Sequence, residues 1–142
     1  MARQIYFISG HRNITEDEFT NNYVKRFNAI EMTYQYQKAM NKIDDIDMPL
    51  YVVGDYEGVD IMSQNYLIDN LKVDPKRITV YHMFNKPRNY NSKITNFKGG
   101  FNYDEERDAV MTNDSTEDIA FIRDHLQLSG TAMNILRRKL LK

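Results

Sequence analysis

Short apolar runs recur along the chain, and each is bounded by Gly, Pro or polar residues. Three runs occupy residues 4–9, 50–53 and 78–80, and a fourth lies within residues 118–123. Runs of this length that are rich in β-branched and aromatic residues are typical of buried strands in a parallel sheet. The pattern therefore predicts four strands.

The first helix is marked by a capping box. Thr15 is followed three residues later by Glu18, so a helix is predicted to begin near Glu16. Its apolar face contains Phe19, Tyr23, Phe27 and Ile30, then Met32, Tyr36, Ala39, Met40 and Ile43. The helix either extends to about residue 43 or breaks near residue 33. The longer form would present more apolar surface than one sheet needs, which would suit a partner subunit.

Further helices are predicted after residue 58 and over residues 104–113 and 130–141, while residues 85–102 form a polar connection without a strand or helix. The order is then βα, βα, β-loop-α, βα. Such alternation predicts an α/β fold with a mainly parallel sheet and helices on both faces. Because 142 residues are close to the usual size of one domain, residues 1–142 are predicted to form a single domain.

Composition excludes several classes of function. With 19 Lys and Arg against 20 Asp and Glu, the net charge of -1 gives no general attraction to nucleic acid or to an anionic membrane. Without cysteine there is no disulfide, thiol nucleophile or thiolate zinc site, and His11, His82 and His125 lack metal-ligand spacing. No metal or cofactor is expected, and His82 and His125 are predicted to be structural. The basic residues Arg137, Arg138, Lys139 and Lys142 are explained by a helix C-terminus.

Location is predicted only from what the sequence lacks. There is no apolar run of membrane-spanning length and no secretion signal, which favours the cytoplasm. Abundant Tyr and Asn are also found in many small phage proteins, in which case the cytoplasm would be that of a bacterial host.

Polar or Gly-containing loops follow all four predicted strands. They comprise residues 9–12, 54–60, 85–89 and 129–131. The carboxyl ends of parallel strands meet at one edge of the sheet, where α/β proteins bind ligands at the switch in strand order. Arg12 and Arg88 would contact a phosphate, Gly130 and Thr131 would cradle it, and Asp55 or Asp60 would bind ribose hydroxyls. His11 would either contact a base or lie in solvent.

An acidic cluster surrounds Arg107. Asp104, Glu105, Glu106 and Asp108 lie where carboxylates favour a helix start, which explains much of the cluster without chemistry. Asp104 and Asp108 share one helical face, and Arg107 and Met111 share another. General acid or base catalysis would require one of these carboxylates to be buried.

Four segments carry a family resemblance. "IYFISGHR", "VVGDYEGVD", "YDEERDAVM" and "SGTAMNILRR" resemble the SLOG superfamily of Rossmann-like nucleotide-binding proteins, which is related to lonely-guy phosphoribohydrolases and nucleoside 2-deoxyribosyltransferases. The resemblance implies a Rossmann-like three-layer sandwich of about four to five strands, a nucleotide or nucleotide-derived ligand, and a homo-oligomer. The resulting ligand-binding candidates are Ser9, Gly10, His11, Arg12, Gly54, Asp55, Gly58, Asp60, Arg88, Asn89, Arg107, Asp108, Met111, Ser129, Gly130, Thr131 and Asn134.

Two departures from the family pattern affect the predicted activity. Asn134 stands where the family's enzymes carry a glutamate that takes part in cleaving the N-glycosidic bond, and one Gly replaces a Gly-Gly pair before Thr131. An amide cannot act as that nucleophile or base. We therefore expect a sensor or sequestering protein for a nucleotide-derived signal. The alternative is an N-glycosidase or deoxyribosyltransferase on nucleoside monophosphates, with Asp60, Asp104 or Asp108 as the acid; composition argues against a structural or nucleic-acid-binding protein.

Overall fold

A computed structural model describes residues 3–44, 47–124 and 129–141. Within these ranges five strands form one sheet. They are β1 (Ile5–Ser9), β2 (Leu50–Val53), β3 (Ile78–Met83), β4 (Asn96–Phe101) and β5 (Glu117–Ala120). The order is β4-β3-β2-β1-β5 and every pair is parallel, which confirms the predicted α/β class. Because β5 returns to the far side of β1, the strand order switches between these two strands.

Helices cover both faces of the sheet in a Rossmann-like three-layer sandwich. The helices are α1 (Glu16–Phe19), α2 (Lys25–Ala39), α3 (Val59–Asn65), α4 (Asp104–Asp114) and α5 (Gly130–Leu140). A π-helical segment, Thr20–Val24, joins α1 to α2, and a second, Tyr66–Asn70, extends α3. Alternation along β1 divides the core: Ile8 packs with residues of α2 and α3, whereas Phe7 packs with Met111 of α4.

The first helix begins as predicted. Thr15 Oγ1 accepts from the Glu18 amide at 3.1 Å, and the Thr15 amide donates to the Glu18 carboxylate at 3.0 Å. There is no break near residue 33, so the shorter alternative is wrong. The helix ends at Ala39, before the predicted residue 43, and Asn41 then takes a positive φ of 55°. Met32, Tyr36 and Met40 are exposed. A homo-oligomer that covers them stays a prediction.

The predicted connection over residues 85–102 is wrong in its second half, because Asn96–Phe101 forms β4 at the edge of the sheet. The sequence pattern fails here for a physical reason. Four of the six residues are exposed and two are Gly, so β4 has no apolar run. The structure also extends β3 to Met83 and ends β5 at Ala120, leaving Phe121 and Ile122 outside the strand.

A buried ion pair lies at the amino edge of the sheet. Both nitrogens of the Arg77 guanidinium fork donate to Glu31, at 2.8 and 2.6 Å, and the Tyr51 hydroxyl donates to the same carboxylate at 2.6 Å. Arg77 Nε also donates to the carbonyl of Pro49 at 3.0 Å. Helix α2, β2 and the start of β3 are thereby held together.

Two predictions about histidines have different outcomes. His82 lies buried in β3, where its Nδ1 is 3.1 Å from the Met83 carbonyl oxygen. His125 lies outside the described residues, as does Lys142.

Within the described ranges, no helix is long and apolar enough to cross a membrane.

Candidate functional site

A cleft opens at the carboxyl edge of the sheet, beside the switch between β1 and β5. Its volume is about 290 Å³. Small-molecule sites commonly occupy roughly 300–1,000 Å³, so the cleft is suited to a ligand at the small end of that range. Its lining consists of Phe7, Ile8, Ser9, Gly10, His11, Arg12, Gly54, Tyr56, Glu57, Asp60, Asp104, Arg107, Asp108, Ser129, Gly130, Thr131 and Asn134.

Most of the predicted site residues meet in this cleft, and five do not. The five are Asp55, Gly58, Arg88, Asn89 and Met111. Met111 packs in the core, because its helical face turns towards the sheet. Four lining residues were missed by sequence reasoning. Tyr56 and Glu57 belong to the Gly54–Asp60 loop that the sequence singles out, whereas Phe7 and Ile8 carry no signal beyond that of a buried strand.

Ser9 is the last residue of β1 and lines the cleft at the carboxyl end of that strand. Its side chain lies on the same face of the sheet as Phe7, towards α4 and α5. Ser9 is 94% buried, since its relative exposure is 6%, and its hydroxyl has no hydrogen-bond partner within the described ranges. A buried hydroxyl without a partner costs free energy, so Ser9 is a group that a ligand or a water molecule would satisfy.

The first turn of α5 opens onto the same cleft. Ser129 caps the helix by accepting from the Ala132 amide at 3.1 Å. The amides of Gly130 and Thr131 precede that capped position, where helix amides have no partner within the helix. Within the described ranges, a Cβ added at Gly130 would have no atom within 4 Å apart from its chain neighbours and the backbone of its own helix. This end of the cleft therefore offers amide donors and open space to an anionic group.

Asp60 is the buried carboxyl group of the cleft. Its Oδ2 accepts from the Tyr56 amide at 3.1 Å, and Gly54 makes room for it, since a Cβ at Gly54 would lie 2.5 Å from that oxygen. Burial raises the pKa of Asp60 to about 7, with smaller upward contributions from Asp108 and Asp55, although Arg107 and the Tyr56 amide lower it. Asp60 can therefore hold or release a proton near neutral pH.

Arg107 is buried among carboxylates. It donates to Asp55 at 3.0 Å and to Asp108 at 3.0 and 3.1 Å. Asp108 also accepts from the amide of Asn134 at 3.1 Å, and Asn134 accepts from Arg137 at 2.5 Å. Asn134 thus links Asp108 of α4 to Arg137 of α5. Its carboxamide supplies both a donor and an acceptor, which a glutamate could not do.

Arg88 and Asn89 hold the β3–β4 loop against the cleft wall. Arg88 makes three hydrogen bonds to the Asp55 carboxylate, at 2.7, 2.8 and 3.1 Å. The amide of Asn89 donates to the Asp55 carbonyl at 3.1 Å. Burial acts to raise the pKa of Asp55, but the hydrogen bonds from Arg88 and the charges of Arg88 and Arg107 outweigh it, so the pKa is lowered overall. Asp55 is fully buried and satisfied, so it is a support for the cleft rather than a free acceptor.

His11 is held by the segment that follows β5. The amide of Arg123 donates to Nε2 of His11 at 3.2 Å, and Arg123 is fixed by two hydrogen bonds of 2.7 Å to Glu18. Burial, followed by the charge of Arg123, lowers the pKa of His11. The imidazole is therefore a neutral acceptor where it faces the Arg123 amide.

No group of His, Asp or Glu side chains among the described residues could hold a metal ion.

Gly58 allows the chain to turn into α3. Its φ of 77° and ψ of -129° suit only Gly, and a Cβ would lie 2.5 Å from the carbonyl oxygen of His11. We expect Gly58→Ala to lower the free energy of unfolding by about 2 kcal/mol or more in a urea titration. Gly130→Ala is the matched control and should be neutral or slightly stabilising. Equal stability of the two variants would contradict this account of the turn.

A second groove, of about 360 Å³, lies between α2 and the amino ends of β1 and β2. It is larger than the cleft, but it lies at the edge of the sheet opposite to that at which open parallel sheets bind ligands.

Comparisons with protein-family models, curated proteins and solved structures found no match.

Proposed function

We propose that the protein binds a nucleotide or nucleotide-derived molecule of mononucleotide size, as a sensor or sequestering protein. The observation that carries the proposal is the first turn of α5, which opens onto the cleft that the Ser9 hydroxyl also lines. That hydroxyl is buried and has no hydrogen-bond partner among the described residues. Amide and hydroxyl donors at a helix N-terminus are suited to a phosphate group. The cleft volume favours one nucleoside monophosphate over a dinucleotide.

The acidic side of the cleft is suited to the remainder of such a ligand. Three carboxylates line it, those of Asp60, Asp104 and Asp108. The guanidinium of Arg107 in the same lining is already paired with Asp55 and Asp108. Carboxylate oxygens accept from sugar hydroxyls and from exocyclic amino groups. A nucleotide would therefore place its phosphate at α5 and its hydroxyl groups near these carboxylates.

The test is ligand recovery from a defined mixture of ribonucleoside and deoxyribonucleoside monophosphates. The protein is separated from the mixture by gel filtration, the bound fraction is released by heat, and both fractions are analysed by mass spectrometry. An intact, enriched nucleotide supports a binding protein. Recovery of none of the nucleotides above the level retained by an unrelated protein would contradict the proposal.

Asp60 favours a second function, an N-glycosidase. Of the three carboxylates named from the sequence, Asp104 is partly exposed and Asp108 is engaged by Arg107 and Asn134, whereas Asp60 is buried and has a pKa of about 7. A protonated Asp60 would give its proton to the departing base as the bond from the anomeric carbon to the base nitrogen breaks. Water would then add to that carbon and lose a proton, which restores the protonated Asp60. Release of free base by the wild type, but not by Asp60→Asn, would support this function.

Asp60→Asn also gives a pH-dependent prediction that needs no ligand. The pKa of Asp60 is raised in the folded state, so between about pH 4 and pH 7 the folded chain binds more protons and loses stability as pH rises. Asn has no such loss. We expect the stability of Asp60→Asn relative to wild type to increase by about 2 kcal/mol between pH 5 and pH 8 in urea titrations. Asp69→Asn, at an exposed site, is the control; a pH-independent difference for Asp60→Asn would contradict the assignment.

A further inference from the structure

Two guanidinium groups share the ring of Tyr56 at the mouth of the cleft. The Cζ atoms of Arg12 and Arg88 each lie 4.4 Å from the centroid of this ring. Each cation is attracted to the ring, but two like charges on one ring repel each other. At least one of the two must therefore be held by other contacts.

Arg88 is the cation that is firmly held. Its side chain and backbone amide together make three hydrogen bonds to the buried carboxylate of Asp55, and Asp104 lies 3.4 Å from its guanidinium. Arg88 is outside the cleft lining. It therefore supports Tyr56 from the side of the β3–β4 loop.

Arg12 is held weakly and lies on the cleft side. Its side chain is 57% exposed, and its Nε is 3.5 Å from Glu57, which is exposed as well. Its guanidinium also donates to the hydroxyl of Tyr56. Exposed ion pairs of this kind contribute little. Arg12 and Tyr56 both line the cleft and Arg88 does not, so Arg12 is the cation that a ligand stacking on Tyr56 would meet.

We propose that Tyr56 is a stacking platform for the planar base of the ligand, and that the base displaces Arg12 from it. This proposal rests on the proposed nucleotide function and assigns the two ends of the ligand, with the base at Tyr56 and the phosphate at α5. Displacement separates Arg12 from Arg88 and replaces a cation by a π system. Because every base has a π face, Tyr56 selects for an aromatic ring over a bare sugar phosphate and discriminates weakly among bases.

The test compares four nucleoside monophosphates with ribose 5-phosphate by titration calorimetry. For Tyr56→Leu we expect the affinity for the nucleotides to fall roughly 5-fold to 100-fold, while the affinity for ribose 5-phosphate changes less than about 2-fold. Tyr56→Phe should retain nucleotide binding. Tyr36→Leu is the matched control, because Tyr36 is exposed on α2, outside the cleft lining. The folded state of each variant is checked by urea unfolding.

Arg12→Met keeps the proposal testable if Tyr56→Leu does not fold. Removing the side chain that the base must displace should increase nucleotide affinity a few-fold. An unchanged nucleotide affinity would overturn the displacement. If the affinities for the nucleotides and for ribose 5-phosphate fall by the same factor, Arg12 contacts the phosphate and its displacement is overturned. Unchanged nucleotide affinity in a folded Tyr56→Leu would overturn the platform alone. If the wild type binds none of the five compounds at millimolar concentration, the proposed function fails together with the platform.

Discussion

Replacing Glu31 with Ala is expected to lower the free energy of unfolding by about 3–5 kcal/mol, because it leaves the charge of Arg77 buried without its partner. The two side chains are 7% and 6% exposed and are joined by two hydrogen bonds. The substitution also removes the acceptor of the Tyr51 hydroxyl. Urea unfolding followed by circular dichroism measures the change.

The control for Glu31→Ala is Glu117→Ala, which breaks an exposed ion pair with Arg26. These charged groups are 3.6 Å apart and about half exposed, so the change should stay below about 1 kcal/mol. If Glu31→Ala also costs less than 1 kcal/mol, then the Glu31–Arg77 pair does not hold α2 to the sheet.

Gly130→Phe is expected to weaken nucleotide binding by a factor of about 100 or more, equivalent to roughly 2.7 kcal/mol or more. The new ring begins at the first residue of α5, on the wall of a cleft of about 290 Å³. Because a Cβ there has open space among the described residues, the free energy of unfolding should stay within about 1 kcal/mol of the wild type. Calorimetric titration measures the affinity, and urea unfolding measures the stability.

Leu136→Phe is the matched control for Gly130→Phe. Leu136 lies on the same helix but is exposed and outside the cleft lining. It should leave both affinity and stability unchanged. Wild-type affinity in a folded Gly130→Phe would show that the ligand does not occupy the cleft beside α5.

Local sequence signals predicted most of the fold. The apolar runs that become β1, β2 and β3, and the capping box of Thr15 and Glu18, depend on neighbouring residues, and the structure contains them near the predicted positions. The four loops could be placed at one edge because parallel strands share their direction. That topological rule, rather than any single motif, predicted that Ser9, Asp60 and Gly130 would line one cleft.

Features that depend on distant partners could not be predicted. Strand β4 has a polar sequence and forms by pairing with β3, so no local pattern marks it. The pairing of Glu31 with Arg77 joins residues 46 positions apart. Asp55 and Asp60 look alike in sequence, but only the structure shows that Asp55 is paired with two arginines whereas Asp60 has a raised pKa.

The most direct test of nucleotide binding in the cleft is an NMR titration of the ¹⁵N-labelled protein with the nucleoside monophosphate that it retains. We expect the amide signals of Gly10, Gly54 and Gly130 to shift together and to saturate with one dissociation constant. The signals of Ile30 and Thr33, in the groove at the opposite edge, should stay unchanged. Signal shifts confined to that groove, or no signal shifts at the cleft at saturating ligand, would contradict nucleotide binding in the cleft.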